Sequence, residues 1–264
     1  MKADLGNRLH WNNSSNVLCN YMREQEYLNL VLKNQAIIPR YVMEPVEYLN
    51  LGEIKTICFP MTCFCDIPFS RVSTHMSRYG QYGIGLDKEA ALNKHRIQPI
   101  HYMGHSSPLT DDFREVFTSF YSSDTELGDS AEILLDYVLS TLVYMKPIWG
   151  QEKNKNGDLE NYVYQDECEW RYIPSDNFPP ELGPLILPQS NTSESARNVY
   201  TEALSKHEEC WLKFDWDDVK YIMVPDEAAV KATIATIESL PLNEDAKHFL
   251  HSRIEISRRF SDNM

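Results

Sequence analysis

Glu167-Cys168-Glu169-Trp170-Arg171 places two carboxylates and a guanidinium at every second position of a segment with strand patterning. Successive side chains of a strand point to opposite faces, so this spacing predicts Glu167, Glu169 and Arg171 on one face. Cys168, Trp170 and Tyr172 would form the other, core-facing side. Two carboxylates about 7 Å apart repel, and Arg171 partly neutralises them. Such a face suits a reaction whose transition state is cationic, as when a glycosidic bond breaks through an oxocarbenium ion. An ordinary amphipathic strand with its charges in water fits the same pattern.

The elements expected around it alternate irregularly. Val17 to Met22 has strand patterning, and Arg23 to Asn34 carries Tyr27, Leu28, Val31 and Leu32 at helical spacing. Ile54 to Pro68 is an apolar run rich in strand formers, consistent with a buried strand. A helix over Phe69 to Tyr79 capped by Ser70, a strand over Tyr82 to Leu86 and a short helix over Lys88 to Lys94 follow. The apolar run Ile133 to Trp149, interrupted by Asp136, Ser140, Lys146 and Pro147, reads as a buried helix extending to Met145. Strand patterning resumes from Tyr162 to Ile173, and the last third alternates short strands with helices. This mixture predicts an α+β fold rather than a wound parallel sheet. Residues 1–15 read as a loose arm and 16–264 as a single domain.

Composition narrows the function classes. The chain has 264 residues, 42% of them hydrophobic, with a formal net charge of −14. That charge disfavours loose binding along a phosphate backbone, which draws its affinity from Lys and Arg. Local basic groups at Arg71 and Arg78, or at Arg253, Arg258 and Arg259, are the exceptions. The six cysteines lack CxxC or zinc spacing, and no metal is expected. No segment approaches the roughly 20 apolar residues that cross a membrane, so a cytoplasmic protein without membrane contact is expected. His101 and His105 have HxxxH spacing, but Gly104 and the turn after it argue against a metal-binding helix.

The blocks Asn16 to Met22, Ile38-Pro39-Arg40-Tyr41, Pro60 to Pro68, Tyr79 to Leu86 and Glu167 to Tyr172 occur in an order that resembles the AbiGi-type abortive phage-infection family, over roughly residues 16 to 230. More remotely, the order of a polar strand end, a tyrosine-bearing segment and a late strand glutamate is similar to DarT-type and CmdT-like ADP-ribosyltransferase toxins. That likeness implies a split mixed β-sheet with surrounding helices and NAD as substrate. Glu169, with Glu167 and Arg40, would be catalytic. Asn20, standing where those enzymes carry His, would bind NAD with Tyr21, Arg40, Tyr41, Tyr79, Tyr82 and Arg171. The function so implied is a mono-ADP-ribosyltransferase toxin modifying a nucleic acid, RNA rather than DNA. Its partners would be a cognate antitoxin and a chaperone sensing infection. A second expectation, from the AbiGi-type resemblance, is a non-enzymatic antitoxin or regulatory binding protein.

Overall fold

The computed structural model describes residues 14–121, 128–153, 157–176 and 178–258. Most of the expected N-terminal arm, and Arg259, lie outside them. The described chain is a mixed α+β structure and divides into two compact units.

The first unit comprises residues 1–39, 62–98 and 210–264. Its sheet is built from β1 (Val17–Met22), β5 (Tyr82–Asp87), β13 (Val219–Val224), β14 (Ile254–Ile256) and the end of β4 (Thr56–Cys65), in the order β14-β13-β5-β1-β4. β13 and β14 run parallel, and the other pairs are antiparallel. The short β2 (Ala36–Ile37) and β12 (Leu212–Lys213) form a separate pair. Gly85 permits close packing in β5, because a Cβ there would lie 2.7 Å from Val17 Cγ1. Gly80 adopts φ 122°, a backbone conformation that L side chains rarely adopt.

Helices α1 (Gln25–Asn34), α2 (Ser73–Tyr79), α3 (Lys88–Asn93), α7 (Glu227–Glu238) and α8 (Glu244–His251) complete the unit. α1 buries Leu28, Val31 and Leu32 as its periodicity predicts, and leaves Tyr27 exposed. Asp87, Asp226 and Asn243 cap α3, α7 and α8 by accepting from the backbone N–H three residues on. Ser70 caps nothing: it sits in a 3₁₀ turn, and α2 begins at Ser73 without a side-chain cap. Lys88 is fully buried and pairs with Asp66 at 2.5 Å, while Asp66 also accepts from the Ser15 N–H at 3.0 Å.

The second unit comprises residues 40–61 and 99–209. β3 (Arg40–Pro45) pairs antiparallel with the first half of β4, and β11 (Glu169–Tyr172) also neighbours β4. The two-residue β6 (Gln98–Pro99) marks the boundary between the units. β7 (His101–Met103) pairs parallel with β8 (Met145–Pro147), and β9 (Trp149–Lys153) pairs antiparallel with β10 (Leu159–Val163). Helices α4 (Pro108–Tyr121), α5 (Asp129–Leu142) and α6 (Glu194–Leu204) belong to the same unit.

Two expectations fail here. The helix expected to reach Met145 ends at Leu142, and Met145–Pro147 forms β8, because Pro147 cannot continue a helix. Nor is that helix buried. Val138 and Leu142 face inward, but Ile133, Leu134 and Tyr137 are exposed.

Candidate functional site: a buried charge network

The segment that sequence reading singled out folds differently from a continuous strand. Tyr164–Glu167 is a 3₁₀ turn, Cys168 takes a left-handed conformation at φ 45°, and β11 starts only at Glu169. Cys168 is therefore exposed rather than core-facing. Trp170 is buried as expected, but so are Glu167, Glu169 and Arg171, with Arg171 at 0% exposure. The charged side of the segment faces protein, not water. Burial of this kind is tolerable only where each charge meets its opposite and the remaining polar atoms are hydrogen-bonded.

Those conditions are met within the second unit. Arg171 Nε donates to Glu169 Oε1 at 2.6 Å, Nη2 to Glu44 Oε2 at 2.7 Å, and Nη1 to the Val143 carbonyl at 2.6 Å. Lys146 Nζ donates to Glu169 Oε2 at 2.7 Å and to Glu167 Oε2 at 2.8 Å. The Tyr162 hydroxyl donates to the other Glu167 oxygen at 3.0 Å. The Glu169 N–H donates to the Tyr102 hydroxyl at 2.8 Å. Lys146 also lies 4.9 Å from the centre of the Tyr164 ring, close enough for a cation–π contact. Three carboxylates and two cations thus interlock, one contributed by each of β3, β8 and the turn before β11, and two by β11.

Desolvation alone would raise the Glu169 pKa, but Arg171 and Lys146 outweigh it and hold the carboxyl well below the usual range. For Lys146, burial works against the charge, and the surrounding Glu169, Glu44 and Glu167 carboxylates more than restore it, raising its pKa. A general acid or base works best with a pKa near the operating pH. Glu169 and Lys146 are moved in the opposite directions. The negative charge of Glu169 is also already matched by two cations in contact with it. What the arrangement does is tie four segments of one unit together.

Sequence reading missed Lys146, Glu44, Tyr102 and Tyr162. One signal was present: Lys146 is a lone cation at the end of an apolar run, where burial demands a partner. Nothing local to Glu44 announced it, because its partner Arg171 lies 127 positions away.

The other expected site residues are dispersed between the units. Asn20, Tyr21, Tyr79 and Tyr82 belong to the first unit, and Arg40 and Tyr41 to the second. Asn20 Nδ2 donates to the Cys63 carbonyl at 2.8 Å, fixing β1 to β4. Tyr21 and Tyr79 both pack on His75, and Tyr82 lies opposite Met22 in the β1–β5 register. Arg40 is exposed at the start of β3, whereas Tyr41 is buried against Tyr200. Among these expected residues, Glu167, Glu169 and Arg171 meet in the charge network, and Tyr21 and Tyr79 share His75 in the first unit.

An α+β protein with a charge-locked unit is the class these features define. Comparison with known proteins then identifies its family. The family model described as "Putative abortive phage resistance protein AbiGi, antitoxin" matches residues 35–225. The chain is also similar to the "Abortive phage resistance protein AbiGi" of Lactococcus lactis subsp. cremoris, with 32% identity over 207 residues, covering 72% of this chain and 82% of that protein. No solved structure matches the chain. This protein belongs to the AbiGi family of abortive phage resistance proteins.

The matched region contains all five charges of the network and leaves out Asn20 and Tyr21. Because the family is described as an antitoxin, the expectation of an ADP-ribosyltransferase toxin is overturned in favour of the second expectation. The partner that an antitoxin implies is correspondingly a toxin, not a cognate antitoxin. Among the described residues no helix is long and apolar enough to cross a membrane.

Proposed function

We propose that this protein is the antitoxin of an abortive phage-resistance system and that it acts by binding its toxin. The observation that carries this reading is the closed charge network: both Glu169 oxygens are held, by Arg171 and Lys146, inside the second unit. Carboxylates held in this way stabilise a shape, and a stable shape is what a binding protein must present. The description of the family as an antitoxin supports the same role. The net charge of −14 favours a basic protein partner over nucleic acid.

The test is expression in a bacterial host, with and without the toxin of the same system. The chain alone leaves growth unaffected, and co-expression restores growth that the toxin arrests. Growth arrest by this chain alone, relieved by Glu169→Ala, would overturn the reading.

A further inference from the structure

α5 carries more apolar surface than its own unit covers. Its inner side buries Val138 and Leu142, yet Ile133, Leu134 and Tyr137 are 72%, 46% and 67% exposed. At 3.6 residues per turn these three fall within an arc of about 100°, a stripe as broad as the core-facing side of an ordinary amphipathic helix. A helix with two apolar sides in a folded protein has a second surface to meet. α4, which packs on α5, also exposes apolar side chains, Leu109 and Val116 at 61% and 38%, seven positions apart on one side of that helix.

The edges of this surface carry one sign. Every charged residue of α5 is acidic: Asp129, Glu132 and Asp136, which the helical repeat places along one border of the stripe. α4 carries Asp111, Asp112 and Glu115 against a single cation, Arg114. That cation is turned to its own unit, donating from Nε to the Leu49 carbonyl at 2.7 Å and from Nη1 to Asp111 at 2.8 Å.

We propose that the outward side of α5 is the docking surface for the toxin, which meets it with apolar side chains bordered by lysine and arginine. The charge selects this occupant. A second copy would bring the same acidic border against itself, and nucleic acid would be repelled. A basic border is attracted, while the apolar stripe supplies the buried centre that dominates affinity in protein interfaces. The inference rests on the antitoxin reading.

The experiment titrates the purified toxin of the same system into the full-length protein, paired with growth rescue in cells. Replacing Ile133 and Tyr137 together by Ser removes two exposed side chains, so the melting temperature stays at the wild-type value while affinity falls roughly 30-fold or more. The triple variant Asp129→Asn, Glu132→Gln, Asp136→Asn keeps the apolar stripe. It binds more slowly than wild type at low salt and loses most of the salt dependence of association.

Wild-type affinity in both variants, with rescue intact, would overturn the docking surface and leave the antitoxin reading standing. Failure of the wild-type chain to rescue growth would overturn the antitoxin reading itself. A wild-type dimer that the Ser double variant dissociates, or an oligonucleotide complex that it abolishes, would assign the surface to another occupant and overturn the proposal.

Discussion

The two units distribute apolar surface in opposite ways, although each buries charge: the Lys88–Asp66 pair in the first and the five-charge network in the second. In the first, Leu18, Ile84, Leu86 and Ile222 are fully buried in and around one sheet, and among its described large apolar side chains only Tyr27 and Leu30 are exposed. The second puts five ionised groups at its centre and shows Leu109, Ile133, Tyr137, Leu159 and Val199 to solvent, each more than 60% exposed. The first unit is therefore organised as a self-sufficient core. The second is organised as a body locked from inside, with apolar residues left over for contact outside.

That contrast can be broken by substitution. Arg171→Ala removes the cation shared by Glu44 and Glu169 and leaves one carboxylate buried and the other half-buried without it. It is expected to destabilise by about 3–5 kcal/mol, measured by urea unfolding. A loss below about 1 kcal/mol would mean that the network is dispensable and the contrast is superficial. In the first unit the comparable stress is steric. Ile84→Ala, at a fully buried position of β5, is expected to cost about 2–5 kcal/mol through lost burial and the cavity left behind. Its cost should be insensitive to pH, unlike that of the network.

The pH dependence sharpens the same point with a smaller effect. Glu169 has its pKa lowered in the folded state, so its contribution is present above the ordinary carboxylate pKa and is lost as pH falls through the folded value. Lys146 has its pKa raised, so its contribution is present below the ordinary lysine value and lost as pH rises through the folded one. Stability should therefore plateau between the two ranges and decline on either side. Glu169→Gln should flatten the acid limb; an unchanged acid limb would show that other carboxylates control it.

Local patterning went a long way with the elements themselves. The spacing of Leu28, Val31 and Leu32 predicts α1, and the apolar, β-rich run Ile54 to Pro68 predicts β4, because both patterns reflect the burial of residues near one another in sequence. The same reasoning failed at Glu167 to Arg171. Alternation assigns faces correctly only along an unbroken strand, and the left-handed Cys168 interrupts this one. It also assumes that charges face water, which Lys146 and Glu44 make unnecessary here. For α5, periodicity identified a helix but not its surroundings, since an apolar run looks the same whether the chain or another molecule covers it.

Composition and order along the chain determined the α+β class, the resemblance to the abortive-infection family and the prominence of the Glu167 to Arg171 segment. Only the tertiary structure decided that this segment is a lock. Arg171 meets Glu44 across 127 positions, and Lys146 meets Glu167 and Glu169 across 21 and 23. Which charges are buried together depends on contacts between segments distant in sequence, and no local pattern encodes them.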